Sequence, residues 1–195
     1  MIPPPLTLRE AAAGIWGALR LLRFDPAGMA ALDTTARGAA RSFWLMPWLF
    51  APWLLIVAIQ EGDALAAVPF WRFLTVEVVG YVLAWVAFPL AMAWVADMTG
   101  VRDRWTGWLA AYNWSAVPQV AIWLPTLALA EAGVLPEGAS QILLFAASLA
   151  IVLYHAFIAR AALGMGPLHA AMTVILDLLV SAVVNELTLG VMGVR

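Results

Sequence analysis

Apolar residues fill five long runs of this chain, and the last run is interrupted by a polar residue at nearly every helical turn. At 100° per residue, Thr173, Asp177, Ser181, Asn185 and Thr188 fall within an arc of about 120°, while Leu178, Leu179 and Val183 lie outside it. A carboxylate in such a stripe points into a bundle or a water-filled cavity, so Asp177 is the expected centre of the molecule. The five runs predict membrane helices at about 42–60, 71–95, 107–130, 139–161 and 168–192, each exceeding the ~18 residues that cross hydrocarbon. Pro47 and Pro52 fall inside the first and are expected to bend it or to free carbonyls that a neighbour must satisfy.

Residues 1–41 form a distinct N-terminal region ahead of the bundle at 42–195. The opening Met-Ile-Pro-Pro-Pro has neither the basic segment nor the small-residue cleavage site of a signal peptide, so the N-terminus is expected to be retained. Over residues 6–24, with Thr7 as N-cap, Leu8, Ile15, Leu19 and Leu22 share one narrow arc and Arg9, Arg20 and Arg23 an adjacent one. That pattern predicts an amphipathic interfacial helix whose arginines contact lipid headgroups; a helix docked on the bundle is the alternative. Asp25-Pro26 and Asp33-Thr34-Thr35 carry two further helix-start signals.

Composition supports the membrane reading. Hydrophobic residues make up 65% and charged residues 11%, and mean hydropathy is +0.93; soluble domains carry about 25% charged residues. Without Cys, disulfides and thiolate sites are excluded. All ten basic residues are Arg, which points to a GC-rich bacterial genome. Arg9, Arg20, Arg23, Arg37, Arg41, Arg102, Arg104 and Arg160 fall on one side of the predicted spans, and only Arg72 and Arg195 on the other. The positive-inside rule then gives a cytoplasmic N-terminus and a periplasmic C-terminus in a bacterial inner membrane. Of eleven tryptophans, Trp44, Trp48, Trp71, Trp105 and Trp108 sit near span ends, where interfacial anchoring is expected, with an aromatic ligand cage as the alternative; Trp85, Trp114 and Trp123 lie deeper.

Other spans offer partners to the stripe. Tyr112, Ser115, Gln119 and Thr126 lie within about 60° of one another, and Gln141, Ser148 and His155 within about 40°. Glu77 and Tyr81 are one turn apart in the second span. At 1.5 Å per residue, Asp177 lies about 14 Å and Gln119 about 18 Å from the inner ends of their spans, with Ser148 near the same depth and His155 level with Thr173. These groups either satisfy one another, at about 0.6 kcal/mol per interhelical bond, or line a hydrated path in which Glu77, His155 and Asp177 exchange protons or bind a cationic solute. A site for a lipid headgroup or a quinone-like ring is a third reading. Gly80, Ala84, Ala87 and Ala91 leave one side of the second span open to close packing.

Motifs for hydrolysis or nucleotide binding are absent, and two distant histidines make a metal centre unexpected. Ser115 or Ser148 with His155 as base lacks the glycine context that presents a nucleophile, so neither catalysis nor a cofactor is expected. Five spans behind a forty-residue-scale inside region, together with Phe24-Asp25-Pro26, Asp33-Thr34-Thr35 and Tyr112-Asn113-Trp114-Ser115, resemble alphaproteobacterial membrane proteins of similar size and the Yip1-like family. The resemblance implies a five-helix fold and a non-catalytic scaffold, accessory-subunit or lipid-organising role, and transfers no functional residue. Expected partners are membrane lipids and another membrane protein or a second copy, not nucleic acid. The alternative is a small-solute or proton-coupled transporter using the midplane polar residues; a cavity joining Asp177 to one face would favour it.

Overall fold

The computed structural model describes residues 4–193, and every regular element among them is helical. Arg195 and the Met1–Pro3 opening, both used above, lie outside the described residues. Helix α1 (Leu8–Leu22) starts at the expected cap: Thr7 Oγ1 accepts from Glu10 N–H and the Glu10 carboxylate accepts from Thr7 N–H at 2.8 Å, a reciprocal capping box. Asp25 caps the 3₁₀ turn Pro26–Ala31, whose first position is the proline, and Thr35 caps α2 (Ala36–Ser42). Then follow α3 (Leu45–Leu65), α4 (Phe70–Met98), a 3₁₀ turn Arg102–Arg104, α5 (Trp105–Glu131), α6 (Glu137–Leu163) and α7 (Pro167–Met192). Gly164 and Gly193 end α6 and α7 at φ 70° and 79°, where a side chain would be strained.

Helices α4 to α7 lie close to the expected spans, whereas the first apolar segment begins earlier than residue 42. It runs as Ala36–Leu65, interrupted only at Phe43 and Trp44. Pro47 accounts for the interruption, because a proline ring clashes with the carbonyl four residues back, here that of Phe43. Pro52 sits within α3, which continues through it.

Four segments are long and apolar enough to cross a membrane, Ala36–Leu65, α4, α6 and α7, the mark of a multi-pass membrane protein. The fifth expected span, α5, is not among them. Its position explains the difference: α5 packs against α1, α2, α3 and α6. Gly107–Ala111, Asn113–Ser115 and Pro118 are buried. A helix enclosed by protein has no need of the apolar surface that lipid selects for.

Around α5 the segment α2–α3 runs parallel, with Thr106 Oγ1 donating to Thr34 O at 2.9 Å and Asn113 Nδ2 to Ser42 Oγ at 2.8 Å, at sequence separations of 72 and 71. Helix α6 runs antiparallel to α5, Arg104 Nη1 reaching Leu163 O at 3.2 Å. Helices α4 and α7 also pair antiparallel, through Arg72 Nη2 to Val191 O at 2.7 Å and through Gly80, where an added Cβ would lie 2.5 Å from Thr188 Oγ1.

The N-terminal region belongs to the core. Ala18, Leu21, Leu32 and Ala39 pack with Phe88, Met92, Trp108, Leu109, Trp114, Tyr154 and Ile158. The face of α1 that docks is Gly14, Gly17, Ala18 and Leu21, not the arc of Leu8, Ile15, Leu19 and Leu22; Leu8 is 88% exposed. This is the docked alternative, and glycine explains it: Gly14 lies against the Trp114 indole, at a distance that admits no side chain. Of the arginines expected at headgroups, Arg20 pairs with Asp25 at 2.6 Å, while Arg9 and Arg23 are exposed. Arg41 of α2 pairs with Glu10, tying α2 to the start of α1. Trp48 and Trp71 are exposed, as an interfacial belt requires, but Trp108 is buried beneath Phe88 and Tyr112.

Candidate functional site

Three helices bring their polar residues together at Asp177. From α5, Tyr112 donates its hydroxyl to Asp177 Oδ1 at 3.0 Å; from α6, His155 Nδ1 lies 2.9 Å from Oδ2. The far ring nitrogen, Nε2, meets the Gln119 side-chain amide and stands 3.4 Å from Ser115 Oγ. Hydrogen-bond accounting sets the tautomer. A carboxylate only accepts, so Nδ1 carries the proton toward Asp177, and Nε2 is left to accept from the Gln119 NH₂. The result is a bonded series Gln119–His155–Asp177–Tyr112 spanning α5, α6 and α7.

Ser115, His155 and Asp177 stand in the order of a serine–histidine–carboxylate relay, yet the serine hydroxyl donates to Tyr112 O at 2.6 Å and is fully buried. Its proton is directed to the backbone of its own helix, and the Nε2 acceptor is already taken by Gln119.

The remaining candidates divide. Ser148 donates to Leu144 O at 2.9 Å and Thr173 to His169 O at 2.9 Å, each turned back on its own helix. Glu77 does not join the Asp177 cluster; it is 4% exposed and accepts one recorded hydrogen bond, from Trp53 Nε1 at 3.1 Å. Ser181 and Asn185 face a different environment, an open cavity.

That cavity, of about 340 Å³, lies between α3, α4, α5 and α7. It exists because α4 pairs closely with α7 but meets α3 and α5 only sparsely. Glu77 and Tyr81 form one wall; Ser181, Asn185 and Thr188, the outer half of the stripe on α7, form another. Tyr112 and Gln119 belong both to the lining and to the Asp177 series, so the cavity touches that series at both of its ends, while Asp177 itself does not line it. The lining runs along the helices, and Gln60 and Thr188 mark its part nearest the ends of α3 and α7 remote from the arginine-rich segments.

Tyr81 and Trp85 stand out in the sequence, but Trp53 does not, nor does the joining of the three rings in one wall of the cavity. Trp53 and Tyr81 stand 5.8 Å apart between ring centroids, and Tyr81 and Trp85 6.0 Å. Tyr81 OH is fixed to Met46 O at 2.8 Å. Gln60, a polar residue closing the first apolar run, is the signal the sequence carries for the α3 side of the cavity. Asn113 and Ser42 also escaped notice, because their pairing depends on the parallel register of α2 and α5. Among the described residues no group of three or more His, Asp or Glu side chains could hold a metal ion.

No family model matches this chain, and no curated protein or solved structure matches it.

Proposed function

We propose that the protein is a small-solute carrier whose cavity is coupled to the buried His155–Asp177 pair. The observation that carries this reading is the shared wall: Gln119 and Tyr112 face the cavity and bond to the two ends of the pair. Filling the cavity alters the surroundings of both, so occupancy bears directly on the hydrogen bonds that hold His155 and Asp177 in place. Proton-coupled transport is one use of such a series, and neither an activated nucleophile nor a metal enters it.

In this reading α5 is the fifth span. Its 27 residues are long enough, it runs antiparallel to the apolar α6, and its polar residues meet protein or the cavity in place of lipid. The arginine bias supports a bacterial inner membrane with the N-terminus cytoplasmic and the C-terminus periplasmic, and in that orientation Gln60 and Thr188 line the periplasmic part of the cavity. Exposed Arg9 and Arg23 remain the candidates for lipid headgroups. The scaffold or accessory-subunit role that goes with a Yip1-like affiliation is the competing reading; it requires no cavity, and the cavity tips the balance toward the carrier.

The absence of Cys makes the test direct. Single substitutions Ser181→Cys and Asn185→Cys in the full chain, reconstituted in nanodiscs, should react with a charged methanethiosulfonate as fast as Ala132→Cys in the exposed turn after α5. Leu149→Cys, on an exposed face of α6, should stay unreactive because hydrocarbon disfavours the thiolate. Cavity cysteines as inert as Leu149→Cys would mean a dry centre and would overturn the carrier reading.

A further inference from the structure

We infer that the cavity takes an amphipathic organic cation, its charge held at Glu77 and its apolar body laid against Trp53, Tyr81 and Trp85. The inference rests on the carrier reading and adds the class of ligand to it.

Charge gives the first reason. Glu77 is the one acidic residue in the lining, and no Arg, Lys or His shares it, so the wall repels anions and has nothing of its own to balance a carboxylate. Among the described residues, no cation lies within ion-pair distance of Glu77, and its recorded hydrogen bond comes from a neutral indole. A carboxylate held out of water without a counter-ion is costly, and a bound cation removes that cost.

The aromatic wall supplies the second reason. Trp53 Nε1 is committed to Glu77 and Tyr81 OH to Met46 O, so the polar handles of both side chains are tied back and their rings are fixed in place. Rings held beside a carboxylate attract a cation through their quadrupoles and stack on the apolar groups that accompany it.

Ligand shape follows from the rest of the lining. Leu49, Ile56 and Val120 give it hydrocarbon beside the polar Gln60, Ser181 and Asn185, a mixture that fits an amphipathic body. A volume of about 340 Å³ lies at the lower end of the range for drug-sized ligands, about 300–1,000 Å³. A bare alkali or alkaline-earth ion fits poorly. It requires a shell of about six or more oxygens, whereas Glu77 has indole and phenol rings for neighbours.

Tetraphenylphosphonium is the probe, with neutral triphenylphosphine oxide as its control. By equilibrium dialysis against the full chain in nanodiscs, corrected with empty nanodiscs, the cation should bind saturably at one per chain and the oxide should not. Glu77→Gln keeps the shape and an acceptor for Trp53 while removing the charge, and should weaken cation binding at least tenfold. Equal affinity in Glu77→Gln, saturable binding of the oxide at the same affinity, or no saturable binding of the cation would each overturn the proposal.

Should Glu77→Gln fail to fold, Ser181→Cys retains Glu77 and gives a second readout. Tetraphenylphosphonium should slow its modification at least fivefold while the oxide leaves the rate unchanged, and equal rates in all three conditions would overturn the proposal. A reactive but unprotected Ser181→Cys removes the cationic ligand and leaves the carrier reading standing; an unreactive one removes the carrier reading itself.

Discussion

His155 and Asp177 face each other across α6 and α7 with Nδ1 2.9 Å from Oδ2, and Tyr112 closes on the second carboxylate oxygen at 3.0 Å. Each oxygen of Asp177 therefore serves a different helix, and the side chain works as a bridge as well as a charge.

Replacing that side chain separates the two roles. Asp177→Asn keeps the shape and one acceptor for His155, and the Tyr112 hydroxyl can rotate to accept from the new NH₂. Its melting temperature in detergent should stay within a few degrees of the parent while proton-coupled uptake is lost. Asp177→Leu strands the His155 N–H and the Tyr112 O–H in the interior, at about 1–3 kcal/mol for each unsatisfied group, and should lower the melting temperature well below that of Asp177→Asn. Equal melting temperatures for the two variants would show that the bridge contributes nothing to stability.

Gly14 and Trp114 are expected to be energetically coupled. A Cβ at Gly14 would run into the indole ring of Trp114, so Gly14→Ala should destabilise the protein by about 1–3 kcal/mol, the usual range for overpacking. In a double-mutant cycle, Gly14→Ala combined with Trp114→Ala should cost less than the sum of the single changes. Additive losses would place α1 somewhere other than on α5.

At the buried contact of α2 with α5, Asn113 Nδ2 donates to Ser42 Oγ at 2.8 Å while Asn113 Oδ1 has no partner. Ser42→Ala removes that acceptor and should cost about 1–3 kcal/mol. Combining it with Asn113→Leu removes the stranded amide as well, and should restore most of the loss. A double variant less stable than Ser42→Ala, by thermal denaturation in detergent, would contradict this.

Acid should loosen the N-terminal region. The Thr7 hydroxyl and backbone bonds, followed by the charge of Arg41, hold the Glu10 carboxyl below its ordinary value of 4.5. Arg20 and the Ala27 N–H do the same for Asp25, and the Thr35 hydroxyl for Asp33, below their ordinary 3.8. All three folded values are depressed, so their contribution is complete above the ordinary values and fades as pH falls through the depressed ones. Protease sensitivity of the segment between α1 and α2 should therefore rise below about pH 4, and Glu10→Gln should show elevated sensitivity already at neutral pH. A profile that is flat from pH 6 to pH 3 would contradict the linkage.

Periodicity made part of this architecture readable in advance. Asp177, Tyr112, Ser115, Gln119 and His155 were singled out as polar positions on three helical faces, and those faces converge. Ser148 and Thr173 shared the same faces but bond within their own helices, a choice that short hydroxyl side chains make from local geometry and that spacing does not record. The mode of α1 docking was hidden for a different reason. A hydrophobic arc draws the eye to large residues, whereas α1 meets α5 at Gly14 and the 3₁₀ turn at Gly17, where there is no side chain at all. Helix α5 reads as a fifth span from its long run of apolar residues, but Asn113, Gln119 and their neighbours make it less apolar than the other four, and the sequence does not say which helices cover it.

Tyr154 donates its hydroxyl to Ala18 O at 2.8 Å across a separation of 136 residues. During synthesis α1 therefore emerges long before the wall it rests on. At about 5–20 residues per second, some seven to twenty-seven seconds pass before α6 catches up. Until α5 emerges the first helix has only its own 3₁₀ turn and α2 for company, with Gly14 bare of the Trp114 indole, and the Tyr154 bond comes later still. The beginning of this chain is completed late, and nascent chains arrested before residue 114 should carry an N-terminal helix that a protease can still reach.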